Sequence, residues 1–215
     1  MSGPRASIHC GLAMTTPADP ASDDDVLPPV QDVAEQAVAQ TLAWVEHAVI
    51  GLNLCPFAKA PYIKGQVRCI ASRAREPMAL LAELSDELKL LAAADPAIVE
   101  TTLLVVPLQF AEFDAFNDFL DAADLVLDDL GLEGVIQIAS FHPHYRFAGT
   151  APHDIDNATN RSPCPTLHLL REDSVERAVR AIPEAESIYE TNIRTLRDLG
   201  DDGWATLQQR FLALR

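Results

Sequence analysis

Residues 101–107 read TTLLVVP, an unbroken apolar run rich in β-branched and aliphatic side chains. An amphipathic helix repeats its apolar positions every three or four residues, and a half-exposed strand every two. This run does neither, so it reads as a strand covered on both faces. Its neighbours supply the covers. Residues 77–94 place Met78, Leu81, Leu84, Leu88 and Leu91 on one helical face. Residues 110–130 align Phe113, Phe116, Leu120, Ala123, Leu127 and Leu130, with Gly131 as the stop. Residues 67–72, 135–141 and 166–170 read as three further strands.

Strand, helix, strand, helix, strand implies two right-handed crossovers and at least three parallel strands, while the fourth joins with either polarity. The predicted fold is α/β or α+β. It has about four strands in a largely parallel or mixed sheet with helical crossovers, and C-terminal helices packed on one face. Before the first strand, residues 32–51 carry a helical stripe of Ala34, Val38, Leu42, Val45 and Val49. After the last, Asp173 and Glu176 have capping-box spacing, and Pro183 suits the first turn of a helix ending near Leu199. Trp204, Leu207 and Phe211 mark a short terminal helix beyond Gly200. Residues 1–30 are rich in Pro, Asp, Ser and Thr and read as a disordered tail, with Met14 as an alternative start. Residues 31–215 read as a single globular domain.

Partners are bounded by charge. With 32 acidic against 16 basic residues the formal charge is −16. A surface this acidic repels phosphate backbones and anionic lipid, so neither nucleic acid nor membrane is expected as a partner. The longest apolar run is far short of the ~20 residues of a membrane span. Cys10, Cys55, Cys69 and Cys164 form no CxxC pair and no disulfide framework, which points to a reducing cytoplasm.

The chemistry is concentrated in residues 142–168, which hold four of the six histidines and few large aliphatics. This segment follows the third strand, and such sheets gather ligands at the carboxyl ends of their strands. His142, with an ordinary pKa near 6.5, reads as a general acid or base, or as a capping histidine bonded to backbone. Asn160, Arg161 and Ser162 offer a guanidinium fork flanked by neutral donors, suited to a small anion. The alternative is an Arg161 clasped to Asp154 or Asp156. Asp154 would orient His142 or Arg161, and Tyr145 and Asn157 would line the pocket. His168, in mid-strand, reads as a buried imidazole on the site floor. Cys55 precedes Pro56 at a helix start, where free N–H groups favour thiolate, so a Cys55–His142 pair would support nucleophilic catalysis. The alternative is a cysteine buried as a small hydrophobe.

Metal sites are weaker. His142 and His144 are spaced to point the same way on an extended chain, but the large barrels that use such a pair need more residues. No spacing demands a site from His142, Asp154 and His168. Asp154, Asp156, Asn157 and Asn160 lack the glycine and closing glutamate of a calcium loop. With no Gly-rich dinucleotide loop, P-loop or serine elbow, no nucleotide cofactor is implied, and the cofactor stays unassigned.

Several stretches carry a resemblance. His142-Pro143, Tyr145, Phe147, Thr150, Asp154, Asn157, residues 159–163 (TNRSP), residues 167–172 (LHLLRE) and residues 53–58 (NLCPFA) resemble the domain-of-unknown-function family 1415. The resemblance spans roughly residues 33–212 and implies no established activity. His144 and Cys164 depart from its pattern, so neither is assigned a shared role. The expected function is an enzyme for hydrolysis or group transfer on a small anionic metabolite at residues 142–168. The alternative is a non-catalytic binding or accessory protein in which that segment is a structural clasp.

Overall fold

The computed structural model describes residues 30–181 and 187–214. The predicted tail lies outside them apart from its last residue, as does Pro183.

Helix α1 (Val30–Trp44) runs directly into a π-helical turn (Val45–Ile50) and stops at Gly51. There follow α2 (Lys59–Ile63), β1 (Val67–Ala71), α3 (Pro77–Ala93), β2 (Thr101–Val105) and α4 (Phe113–Asp129). Strand β3 (Ile136–Phe141), a 3-10 helix (Ile155–Asn160), β4 (Thr166–Arg171), α5 (Glu172–Ala181) and α6 (Ile188–Leu212) complete the order. Helix α3 begins with Pro77 in its first turn, where a missing N–H costs nothing. Helix α5 starts immediately after β4, so Asp173 lies inside its first turn instead of capping it. Gly200, at φ 68°, kinks α6 where the sequence predicts a break between two helices.

The sheet order is β1-β2-β4-β3, with β1 parallel to β2 and β4 antiparallel to both β2 and β3. Strands β1, β2 and β3 therefore run the same way, as predicted, but β4 separates β3 from β2 and makes the sheet mixed. Burial explains the order. Leu167 and Leu169 of β4 are fully buried, whereas Gln137 of β3 is exposed and suits an edge. The carboxyl ends of β1, β2 and β3 and the amino end of β4 share one edge, and residues 142–165 cross it.

Alternation along the strands builds two cores. On one face, Leu104, Ile136, Leu167 and Leu169 pack with Leu80, Leu84, Leu88 and Leu91 of α3 and Phe116 and Ala123 of α4. Each of the leucine, isoleucine and phenylalanine side chains contributes roughly 1.5–3 kcal/mol by leaving water. On the other face, Leu103, Val67, Cys69 and Phe141 meet Trp44, Val45, Ala48 and Val49, together with Leu196, Trp204 and Phe211 of α6. The C-terminal helix thus packs on one face, as expected. Among the described residues no helix is long and apolar enough to cross a membrane.

Candidate functional site

The polar segment lies at the sheet edge predicted for it, but His142, Asp156, Asn157 and Ser162 turn inward. His142 is fully buried. Its Nε2 lies 2.9 Å from the carbonyl oxygen of Phe110, and its Nδ1 accepts from the His144 backbone N–H at 3.0 Å. With Nδ1 accepting, the ring proton sits on Nε2 and is donated to Phe110. The ring packs between Phe113 and Phe116 of α4, and burial lowers its pKa. Both nitrogens are committed, which is the capping reading.

Asn157 is equally consumed. Its Oδ1 accepts from the Phe147 N–H and the Thr150 hydroxyl, and its Nδ2 donates to the Ala151 carbonyl. Asn160 donates to the Ser140 carbonyl, and Ser162 to that of Cys164. The predicted clasp of Arg161 onto Asp154 or Asp156 takes a different form. Asp156, buried, receives a two-pronged bond from Arg197 of α6 at 2.9 and 2.6 Å, while Arg161 donates to the Pro152 carbonyl at 2.6 Å. Burial pushes the Arg161 guanidinium down, and Asp154 and Asp201 partly offset that. Tyr145 is half-buried against Phe113 and Phe147. Residues 142–165 are largely stitched to themselves and to α6.

Cys55 and His142 are not brought together. Residues 141 and 142 point to opposite sides of the sheet, His142 toward α4 and Phe141 toward Trp44. Cys55 packs with the Trp44 core on the second face, where burial raises its thiol pKa despite backbone bonds from Phe57 and Ala58. The predicted thiolate is therefore disfavoured, because desolvation outweighs the helix-start donors.

That second face contains a cavity of about 570 Å³. Trp44, Val45 and Val49 form one wall, Leu103 and Ala139 part of the floor, and Val175 and Ala178 of α5 the cover. Helix α5 presents Ser174, Val175, Ala178 and Ala181 to it and turns Glu176, Arg177 and Arg180 outward. The floor also carries His168, the one predicted site residue besides Cys55 that lines this cavity. Its Nε2 lies 2.8 Å from Thr101 Oγ1, and burial pushes its pKa down to about 4. Trp44 is 1% exposed and stacks edge-on against Phe141, yet its Nε1–H has no acceptor among the described residues. A buried orphan donor is uncommon and costs about 1–3 kcal/mol.

Comparison with known families matches the chain, over residues 36–206, to the proteins of unknown function designated DUF1415. The chain belongs to that family. No curated protein matches, and no solved structure does. In this DUF1415 chain, residues 53–58 and 167–172, two stretches that carry the resemblance, both contribute to the cavity through Cys55, Pro56, His168 and Arg171.

The sequence reading missed Trp44, Thr101 and the α5 face. Thr101 and His168 lie with Thr166 on one face of two central apolar strands, and strand alternation would have made Thr101 and His168 diagonal neighbours once the register was known. Trp44 carries no such local signal, since its orphaned N–H is a property of packing.

Proposed function

We propose that this protein is a small-molecule-binding protein whose site is the cavity beneath α5, and that it acts in the cytoplasm. The observation that carries the reading is the cavity itself, about 570 Å³ and mainly apolar, with the imidazole of His168 in its floor. The volume falls within the ~300–1,000 Å³ typical of ligand pockets, and apolar walls with few polar groups are their usual make-up. Arg171, the cation in the lining, turns its Nη2 to the carbonyls of Leu91, Ala94 and Val99, and its Nε is sealed from the cavity, so an apolar ligand suits the cavity better than an anion. Cys55, Cys69 and Cys164 are free thiols, which suits a reducing compartment.

The test is fluorescence titration with N-phenyl-1-naphthylamine, a neutral apolar probe that brightens when it leaves water. Saturable enhancement is expected for the full chain and should disappear in Ala139→Trp, which fills the cavity floor. Enhancement that is absent, or unchanged in Ala139→Trp, counts against the cavity.

A second reading keeps the polar segment as a site for a small anionic metabolite. One observation favours it: Arg161 Nε is buried without an acceptor among the described residues. An anion there would raise the thermal midpoint of the wild type in inorganic phosphate and leave Arg161→Gln unmoved. A catalytic version, hydrolysis or group transfer, would need a proton carrier other than His142.

A further inference from the structure

The cavity's apolar walls define the bulk of its ligand, and two side chains on its floor define the polar part. Thr101 Oγ1 lies 2.7 Å from the carbonyl oxygen of Leu169 and 2.8 Å from Nε2 of His168. A hydroxyl has one proton, and a carbonyl only accepts, so the Thr101 proton goes to Leu169. The hydroxyl oxygen then accepts from His168, whose proton must sit on Nε2. Nδ1 of the neutral ring is left as a lone-pair acceptor. It has no hydrogen-bond partner among the described residues, and it is not among their sealed, unpartnered atoms. The ring is half-buried in the cavity floor beside Phe141, with ring centroids 5.9 Å apart. Because burial holds its pKa near 4, the lone pair persists across physiological pH.

Resting on the cavity reading above, we infer that the ligand is a neutral, mainly apolar molecule bearing a hydroxyl or amine donor for Nδ1 of His168, with Thr101 as the positioning residue that fixes this acceptor. An anionic headgroup would meet a lone pair at this point, and Glu100 also lines the cavity. A molecule with no donor leaves Nδ1 desolvated and unpaired, which is how a polar site rejects an otherwise well-fitting analogue.

The experiment is calorimetric titration of the full chain at pH 7 with three probes of one shape: 2-naphthol, 2-methoxynaphthalene and 2-naphthoate. The wild type is expected to bind 2-naphthol about tenfold more tightly than the methoxy compound, the effect of one neutral hydrogen bond, and 2-naphthoate most weakly. In His168→Phe the naphthol preference should vanish while affinity for the methoxy compound stays within about twofold. If that variant does not fold, Thr101→Val carries the test, because a ring free to place its proton on Nδ1 loses the preference. Equal binding of 2-naphthol and 2-methoxynaphthalene, tightest binding of 2-naphthoate, or a preference that survives these substitutions overturns the inference and leaves the cavity reading intact. Failure of both neutral probes to bind overturns the cavity reading and this inference together.

Discussion

His142 reaches across from the end of β3 to hold the carbonyl oxygen of Phe110, 2.9 Å from its Nε2, and Phe110 is held at φ +56°. The left-handed region is unfavourable for a bulky side chain by roughly 1–3 kcal/mol, so the surrounding contacts must over-determine it. The buried imidazole is one of them, along with the packing of Phe110 on Phe116 and Phe119. His142→Leu should therefore lower stability by about 2–4 kcal/mol, since it strands a carbonyl and the His144 N–H while keeping bulk. Urea denaturation measures this, and a midpoint near that of the wild type would return His142 to the list of free functional groups.

Asn157 is the centre of the same clasp, fully buried and bonded at both ends of its amide. Asn157→Ala is expected to cost about 2–4 kcal/mol, and Asn157→Asp a comparable amount because the donor to Ala151 is lost. Both variants should keep binding N-phenyl-1-naphthylamine where folded, since Asn157 does not line the cavity. Loss of probe binding in a folded Asn157 variant would tie the two regions together and contradict the separation.

Acid should destabilise this protein early. His168 is held neutral with its pKa lowered to about 4 from an ordinary 6.5, and His142 is shifted in the same direction. A histidine depressed in the fold takes up its proton more readily when unfolded. Its stabilising contribution is therefore full above about pH 6.5 and lost as pH falls towards 4, by about 3 kcal/mol for His168. Midpoints of unfolding measured between pH 7.5 and 4 should slope downwards, and His168→Phe should flatten that slope. Parallel slopes for the two proteins would contradict the shift.

Gly51 tests the π-helical turn. A methyl group there would fall 2.1 Å from the carbonyl oxygen of His47, a backbone atom that cannot swing aside. Gly51→Ala should cost about 1–3 kcal/mol through overpacking. It should also weaken probe binding, because relief of the clash moves Val45 and Val49, which line the cavity. A stable variant with unchanged affinity would show that the turn relaxes without disturbing the wall.

The thiols should be sluggish. Burial pushes Cys69 up to about 12 and Cys164 to about 11, and raises Cys55. In a Cys10→Ser background at pH 7.5, a disulfide-exchange reagent should label the native protein on the order of 100-fold more slowly than the unfolded chain. Rapid labelling of one native thiol, located by peptide mapping, would revive a reactive cysteine.

The elements themselves were legible in the sequence because apolar periodicity reports how much of each element is covered. The run at 101–107 gave a strand buried on both faces, and Gly200 marked a break that appears as a kink. Family membership was legible too, from contiguous motifs. Periodicity does not say which strand lies beside which. The insertion of β4 between β2 and β3 followed from total burial of Leu167 and Leu169, a property of the assembled sheet. Nor does composition say whether a polar side chain faces a ligand or its own chain. His142, Asn157 and Ser162 looked available in the sequence, and only the fold supplied the carbonyls and N–H groups that occupy them. The cavity is the opposite case. Thr101 and His168 stand 67 residues apart, and the acceptor they form beside Trp44 exists only because antiparallel pairing and a helix on the same face bring them together. Local pattern dictates which surfaces are apolar; tertiary packing decides which polar atoms are left with a bond to make.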